Sequence, residues 1–409
     1  MYKDPFWQVA LYVGLNSLFR AMHADKRNNI SLLLGSLSYV CLLANRWCSS
    51  IVLGLVGLLI LIVKHYLACG PMLNVYNQDR RYNNSLLFTQ GPVPILYLNG
   101  ASAFDNGFDY GIIMADEIVE LINRFKMFVN LKLPAWMLKD INNHLPNGIR
   151  DEIKGMYEAI DSIYFGEITY WDLLAIQLIP ELDNMGCTCY AKFYDGNVIL
   201  GRNMDWLSFS SAQYSIIVSY RNHNYKSLVV PGLIGCVTSW NNKFALAMNV
   251  VGLERGIDTT LLPSTLFNKM IMIQANTFDE AIAIANGKHP ASPYHLTIAN
   301  YNDVHSFSYY QGDHENTYVR KLSNQSNNLA VLNWTYPDND DGRYISAHRN
   351  DKILSLEEEK NDSVVSVLKE CQTFETMHSL IFNMSKKGMS VYIGIDNGFA
   401  ADFHTLVIV

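Results

Sequence analysis

Hydrophobic positions fall into three regimes along the chain. In residues 30–68 they are nearly continuous: between 30 and 63 the only ionisable side chains are Arg46 and the weakly acidic Tyr39, Cys41 and Cys48. The twenty residues 49–68 carry Lys64 and His65 close to their end, and about 20 apolar helical residues cross ~30 Å of hydrocarbon. A run with almost no polar face predicts membrane insertion. Residues 30–44 predict a short second span or a re-entrant segment. Arg20, Lys26 and Arg27 precede the first stretch, which favours a cytoplasmic N-terminus. One span then sends the rest of the chain across the membrane, whereas a hairpin keeps it on the cytoplasmic side. A cleaved signal peptide is not expected, because the preceding region is long and no small-x-small site follows.

Residues 71–186 read as mostly helical. Ile118, Val119, Leu121, Ile122 and Phe125 recur near helical spacing within 116–128, as do Ile153, Met156, Ile160 and Ile163 within 149–163. A third helix is expected over 169–182, and the three glycines of 100–111 predict a tight turn. From Cys187 onward the pattern shortens to strands and turns. Strands are expected at 214–220, 227–230, 244–250, 295–299, 306–310, 329–332, 389–395 and 405–409. A helix is expected over 277–285, opened by Thr277 with Glu280 three residues on. The acidic run 356–362 reads as a solvated helical face. This order predicts a layered α+β fold. The domains expected are a membrane region 1–70, a helical region 71–186 and a core 187–409.

Charged residues make up 17% of the 409 and hydrophobic residues 49%, which excludes a disordered chain. A net charge of -7 with no basic run longer than Arg80-Arg81 argues against nucleic acid as a partner. The seven cysteines are scattered, without a disulfide framework or paired zinc spacing, and Cys187-Thr188-Cys189 is too tight for a zinc knuckle. Cys236 and Cys371 read as core. No metallopeptidase, nucleophile-elbow or phosphate-loop motif offers a rival site, and no cofactor or metal is expected.

Chemistry concentrates between Gly186 and Trp206. Asp195-Gly196 sits between two extended runs, a two-residue hairpin signal. Such a turn pairs Cys187 with Met204 and Cys189 with Arg202, and puts all four side chains on one face. Arg202 becomes a diagonal neighbour of Cys187 at roughly 7–8 Å between backbones, and Asp205 lies beside the peptide bond that precedes Cys187. A thiol with a pKa of about 8.5 is a weak nucleophile until a nearby cation or base raises its thiolate fraction. A free α-amine, with a pKa of about 7.7–8.0, is such a base. Cleavage of the Gly186–Cys187 bond gives one residue both nucleophile and base. The same residues also suit an ordinary hairpin with a buried Cys and a surface Arg–Asp pair.

Gly186-Cys187-Thr188 followed by Gly201-Arg202-Asn203-Met204-Asp205-Trp206 resembles the cysteine N-terminal nucleophile (Ntn) hydrolases. That group contains acid ceramidase, N-acylethanolamine amidase, choloylglycine hydrolase and isopenicillin N acyltransferase; Gly before Cys and Trp after Asp lean toward the acyltransferase branch. Residues 100–111 resemble the glycine-rich stretch of that branch's propeptide, and 231–249 resemble the family's Gly-rich turn and the strand ending in Asn. The resemblance implies a four-layer αββα Ntn sandwich over roughly 90–409, preceded by a propeptide-like region. It implies Cys187 as nucleophile, its freed amine as base, Arg202 and Asp205 as its orienting charges, Asn333 and Asn249 as oxyanion donors, and Arg349 as the late arginine, with Arg343 competing. The Cys-to-Arg spacing of 15 is one residue shorter than is usual in the relatives. A one-residue change flips faces unless the turn or a bulge compensates. Cleavage before Cys189 is the competing site. The implied activity is hydrolysis of a linear amide through a Cys thioester, the membrane region pointing to an N-acyl lipid. Alternatives are an acyltransferase passing the acyl group to a small amine, and an uncleaved inactive module tethered at a membrane. The expected partners are the amide substrate, a membrane and the chain's own cleaved N-terminal fragment.

Overall fold

A computed structural model describes residues 76–91, 93–182, 187–205, 214–250, 257–309, 318–321, 328–332, 344–360, 362–372, 376–395 and 404–406. The hydrophobic stretch 30–68, Gly186, Trp206, Asn333 and Arg343 lie outside them. Among the described residues no helix is long and apolar enough to cross a membrane.

Residues 187–205 form the expected hairpin, β4 (Cys187–Tyr194) and β5 (Asn197–Asp205). Asp195 and Gly196 take φ of 51° and 72°, the left-handed pair that a tight hairpin turn requires. β4 pairs with β13 (Asn328–Leu332). β5 pairs with β14 (Thr376–Ser385), which continues through β15 (Gly388–Ile395) to β16 (His404–Leu406). Among the described residues these make a six-stranded antiparallel sheet, with the β4–β5 hairpin as its second and third strands.

The other sheet has ten described strands. Seven of them run in sequence order to one edge: β6 (Ile216–Tyr220), β7 (Tyr225–Val229), β8 (Thr238–Trp240), β9 (Ala245–Val250), β10 (Tyr294–Ala299), β11 (Val304–Tyr309) and β12 (Tyr318–Lys321). Three more strands come from the region expected to be mostly helical: β1 (Arg80–Tyr82), β2 (Ser85–Phe88) and β3 (Ile95–Leu98). β3 joins β6 in the one parallel pairing of this sheet. The short runs Ser85–Phe88 and Ile95–Leu98, bounded by Asn83-Asn84 and by prolines, are strand-length segments between turn residues.

Helices α1 (Ala103–Ile113), α2 (Ala115–Lys132), α3 (Ala135–His144), α4 (Asn147–Ile163), α5 (Tyr170–Ile176) and α6 (Ile179–Leu182) follow β3. Two expectations are corrected here. Residues 100–111 do not form a tight turn: Ser102 caps a regular helix, accepting from the Asp105 N–H. The glycines serve contact instead. A Cβ on Gly107 would run into the Glu152 backbone oxygen, and one on Gly155 into that of Phe104, so α1 and α4 touch through backbone. The expected helix 169–182 is two helices, because Pro180 cannot donate to the carbonyl of residue 176 and its ring crowds that turn.

Four further helices carried no clear signal: α3, α7 (Ser264–Gln274), α9 (Tyr344–Glu358) and α10 (Val364–Glu370); the strands β8, β12 and β14 carried none either. α8 (Phe278–Gly287) starts as expected, with Thr277 accepting from the Glu280 N–H at 3.2 Å. The core lies between the sheets, where Val198, Leu200, Leu380 and Phe382 meet Ile217, Leu228, Trp240 and Ala245. The alternate positions Tyr190, Ile199 and Ile381 face α9 and α10 through Ile353, Val367 and Leu368. Leu356 is buried there and Asp362 bonds Lys192, so the acidic run is only partly a solvated face. α1 packs on β1–β3, and α8 on β10 and β11.

Candidate active site

The first residue of β4 and the last of β5 meet at one end of the six-stranded sheet. The register is the one a two-residue turn dictates: Cys187 opposite Met204, and Cys189 opposite Arg202. The short spacing therefore keeps Arg202 on the cysteine face. Its Nη2 donates to the Cys187 Sγ at 3.4 Å and to the Met248 carbonyl on β9 at 2.6 Å. The second bond crosses to the other sheet and fixes the guanidinium against the sulfur.

Cys187, Arg202 and Asp205 are fully buried, at 0% exposure each. Burial pushes the Cys187 thiol above its ordinary pKa; Arg202 is the largest opposing influence, and Asp205 adds to the rise. In the uncut chain, desolvation thus outweighs the guanidinium, and the resting form is the thiol.

Asp205 is held from two sides. Its Oδ2 pairs with Nη2 of Arg349 on α9, and its Oδ1 accepts from Thr376 Oγ1 at 2.5 Å. The same Arg349 donates through Nη1 to the Cys187 carbonyl at 3.2 Å. Arg349 thereby ties the nucleophile's backbone to the acid at the end of the facing strand. Burial is the main influence on the Asp205 carboxyl and raises it, while Arg349 and Thr376 oppose it.

Asn249, the last residue but one of β9, is buried at 1% exposure, and its Oδ1 accepts from the Cys189 thiol at 3.0 Å. Of the residues expected at the site, the structure brings together Cys187, Arg202, Asp205, Asn249 and Arg349. Asn333, one residue past β13, lies outside the described residues. Cys236 and Cys371 are buried in the core, as read.

Sequence reasoning missed Thr376 and His378. β14 carries a register irregularity between them: Thr376 pairs with Asp205 and His378 with Met204, so Met377 is an extra residue. Such a bulge re-aims side chains. Thr376 meets the carboxylate, and His378 takes the face shared by Met204 and Cys187. His378 is buried, and burial, then the Arg202 charge, holds its imidazole well below the ordinary pKa, so it is neutral. Behind the site, Asn203 donates to the Leu368 carbonyl at 2.8 Å and accepts from Ser379 at 2.6 Å, locking β5 to α10 and β14. Among the described residues no group of three or more His, Cys, Asp or Glu is arranged to hold a metal ion.

The fold and site define a mixed α+β protein, rich in sheet, with a buried thiol at a strand start enclosed by two arginines and an aspartate. No family model matches the sequence, and comparison with curated proteins gives no match. Among solved structures, a Caenorhabditis elegans N-acylethanolamine-hydrolyzing acid amidase (NAAA) ortholog is similar over 48% of this chain and 92% of that chain, at 19% identity and a TM-score of 0.41. That likeness is distant, and the functional reading rests on the site's own geometry.

Proposed function

We propose that this protein is an Ntn-type amidase acting through Cys187, with the two sheets and their flanking helices read as the four-layer αββα fold. The observation that carries the reading is the enclosure of one thiol: Arg202 on its sulfur, Arg349 on its carbonyl and Asp205 at the same strand ends.

In the proposed maturation, the Cys187 thiol attacks the Gly186 carbonyl. The Gly186–Cys187 C–N bond breaks, leaving a thioester and a free α-amine, and water hydrolyses the thioester. Residues 71–186 then remain as an associated subunit-like segment. The pairing of β3 with β6 and the buried ion pair of Glu152 with Lys269 at 2.6 Å support that association. In turnover the freed amine takes the Cys187 proton, and the sulfur attacks the substrate amide carbonyl. The C–N bond breaks as that proton passes to the leaving amine, and water cleaves the thioester to a carboxylic acid. Asn249 and Asn333 donate to the oxyanion, a contribution of about 3–4 kcal/mol for one such donor. Arg202 stabilises the thiolate, and Asp205, with Arg349, holds the amine.

The hydrophobic run 30–68 supports a membrane location and an N-acyl lipid as the amide. The test is to incubate the purified protein with an N-acyl amide, quench in acid and map the acylated residue by mass spectrometry, with and without a small amine. Acyl on Cys187 with free acid as product is expected. Transfer to the added amine instead would make the protein a transferase, and no acylation would overturn the reading.

A further inference from the structure

One thiol beside the nucleophile has no part in that scheme. Cys189 shares the face of Cys187, lies opposite Arg202 in the hairpin register and is 1% exposed. Its thiol reaches out of its own sheet: the Sγ–H donates across the core to Oδ1 of Asn249, at 3.0 Å. Next along β9, Met248 accepts from Arg202 through its carbonyl. Two adjacent residues of β9 are thus tied to the cysteine face by the two members of one cross-strand pair, Cys189 and Arg202.

An asparagine amide presents an acceptor on one side and two donors on the other, and its neighbours decide which way it faces. A donor bound to Oδ1 fixes that orientation. We propose that Cys189 is a positioning residue, whose thiol holds the Asn249 amide with its Nδ2 donors turned toward the oxyanion formed at Cys187. The inference rests on Asn249 acting as an oxyanion donor. Burial pushes the Cys189 thiol up to about 12, so it keeps its proton, and its donor role, at any working pH. A hydroxyl at position 189 offers the same donor; a methyl group does not. Without the Cys189 donor the amide loses this bond to its Oδ1, and the preference for turning Nδ2 toward the developing negative charge weakens.

The test compares Cys189→Ser, Cys189→Ala and Asn249→Ala in the full chain, each first checked by intact mass for its cleavage state. The probe is the fluorogenic amide of dodecanoic acid with aminomethylcoumarin. Cys189→Ala is expected to lower kcat at least tenfold with KM within about twofold, and Cys189→Ser to restore kcat to within about threefold of wild type. Asn249→Ala is expected to lower kcat about 100-fold, and adding Cys189→Ala to it to lower kcat little further, because the two act as one unit. Cys189→Val, similar in volume and without a donor, replaces the alanine variant if that one fails to fold. The inference is overturned if the alanine or valine variant keeps full kcat, or if serine is as impaired as alanine with the same loss of thermal stability. Those results leave the Asn249 role standing so long as Asn249→Ala is impaired. Full activity in Asn249→Ala removes that role itself. No turnover of the probe by cleaved wild type contradicts the amidase reading, and this inference with it.

Discussion

Arg349 and Asp205 form a fully buried ion pair across 144 residues of sequence. The pair sits where β4 begins and β5 ends, and the arginine's other nitrogen binds the backbone of Cys187. Removing one member of a buried pair leaves an uncompensated charge, which costs about 3–5 kcal/mol. Arg349→Met is expected to lose that much stability in urea denaturation, and the double variant Arg349→Met/Asp205→Asn clearly less than the two single losses combined. A loss below about 1 kcal/mol in the single variant would contradict the pairing.

The contact between α1 and α4 predicts a sharp contrast among glycines. Gly107→Ala forces a methyl group into the backbone of Glu152, and overpacking of this kind costs about 1–3 kcal/mol. Gly287, in the last turn of α8, has nothing within 4 Å of a new Cβ. Gly287→Ala is expected to be neutral or to stabilise by up to about 1 kcal/mol. Thermal denaturation of the two variants checks this.

Glu181, on α6, gives a pH dependence of defined sign. Burial raises its carboxyl from 4.5 to about 7, although the Ser264 backbone N–H bonds it. The folded state therefore binds more protons than the unfolded state between about pH 4.5 and 7. Stability from this group is fully present below 4.5 and falls as pH rises through the window, by up to about 3 kcal/mol. Glu181→Gln keeps an acceptor for Ser264 and removes the titration. Its stability relative to wild type should rise from pH 4.5 to 7 and then level off. A constant difference across that range would contradict the raised carboxyl.

Much of the site was legible because it sits in one hairpin. Asp195-Gly196 sets a register that cannot slip without turning the apolar positions out of the core, and that register puts Arg202 beside Cys187. Arg349 was reached by resemblance; no local pattern marks it, because α9 has no clear apolar stripe to place it against the sheet. Thr376 and His378 were not legible. Alternation alone puts them on one face, and only the extra residue at Met377 separates them. The strands β1–β3 were missed because three or four residues of alternation weigh little beside the long helical patterns that follow. The glycines of α1 misled for a related reason: glycine marks both turns and close helix contact, and only the partner helix distinguishes the two.

The most direct test of the central claim is the intact mass of the purified full chain, followed by sequencing of its new N-terminus. Autocleavage predicts two co-purifying fragments of about 21 and 25 kDa, in proportion to residues 1–186 and 187–409 of the 46.4 kDa chain, the larger one starting at Cys187. In Cys187→Ala the chain should stay whole. A wild-type chain that remains a single species of 46.4 kDa, with no activity on any N-acyl amide, would contradict the assignment of Cys187 as an N-terminal nucleophile.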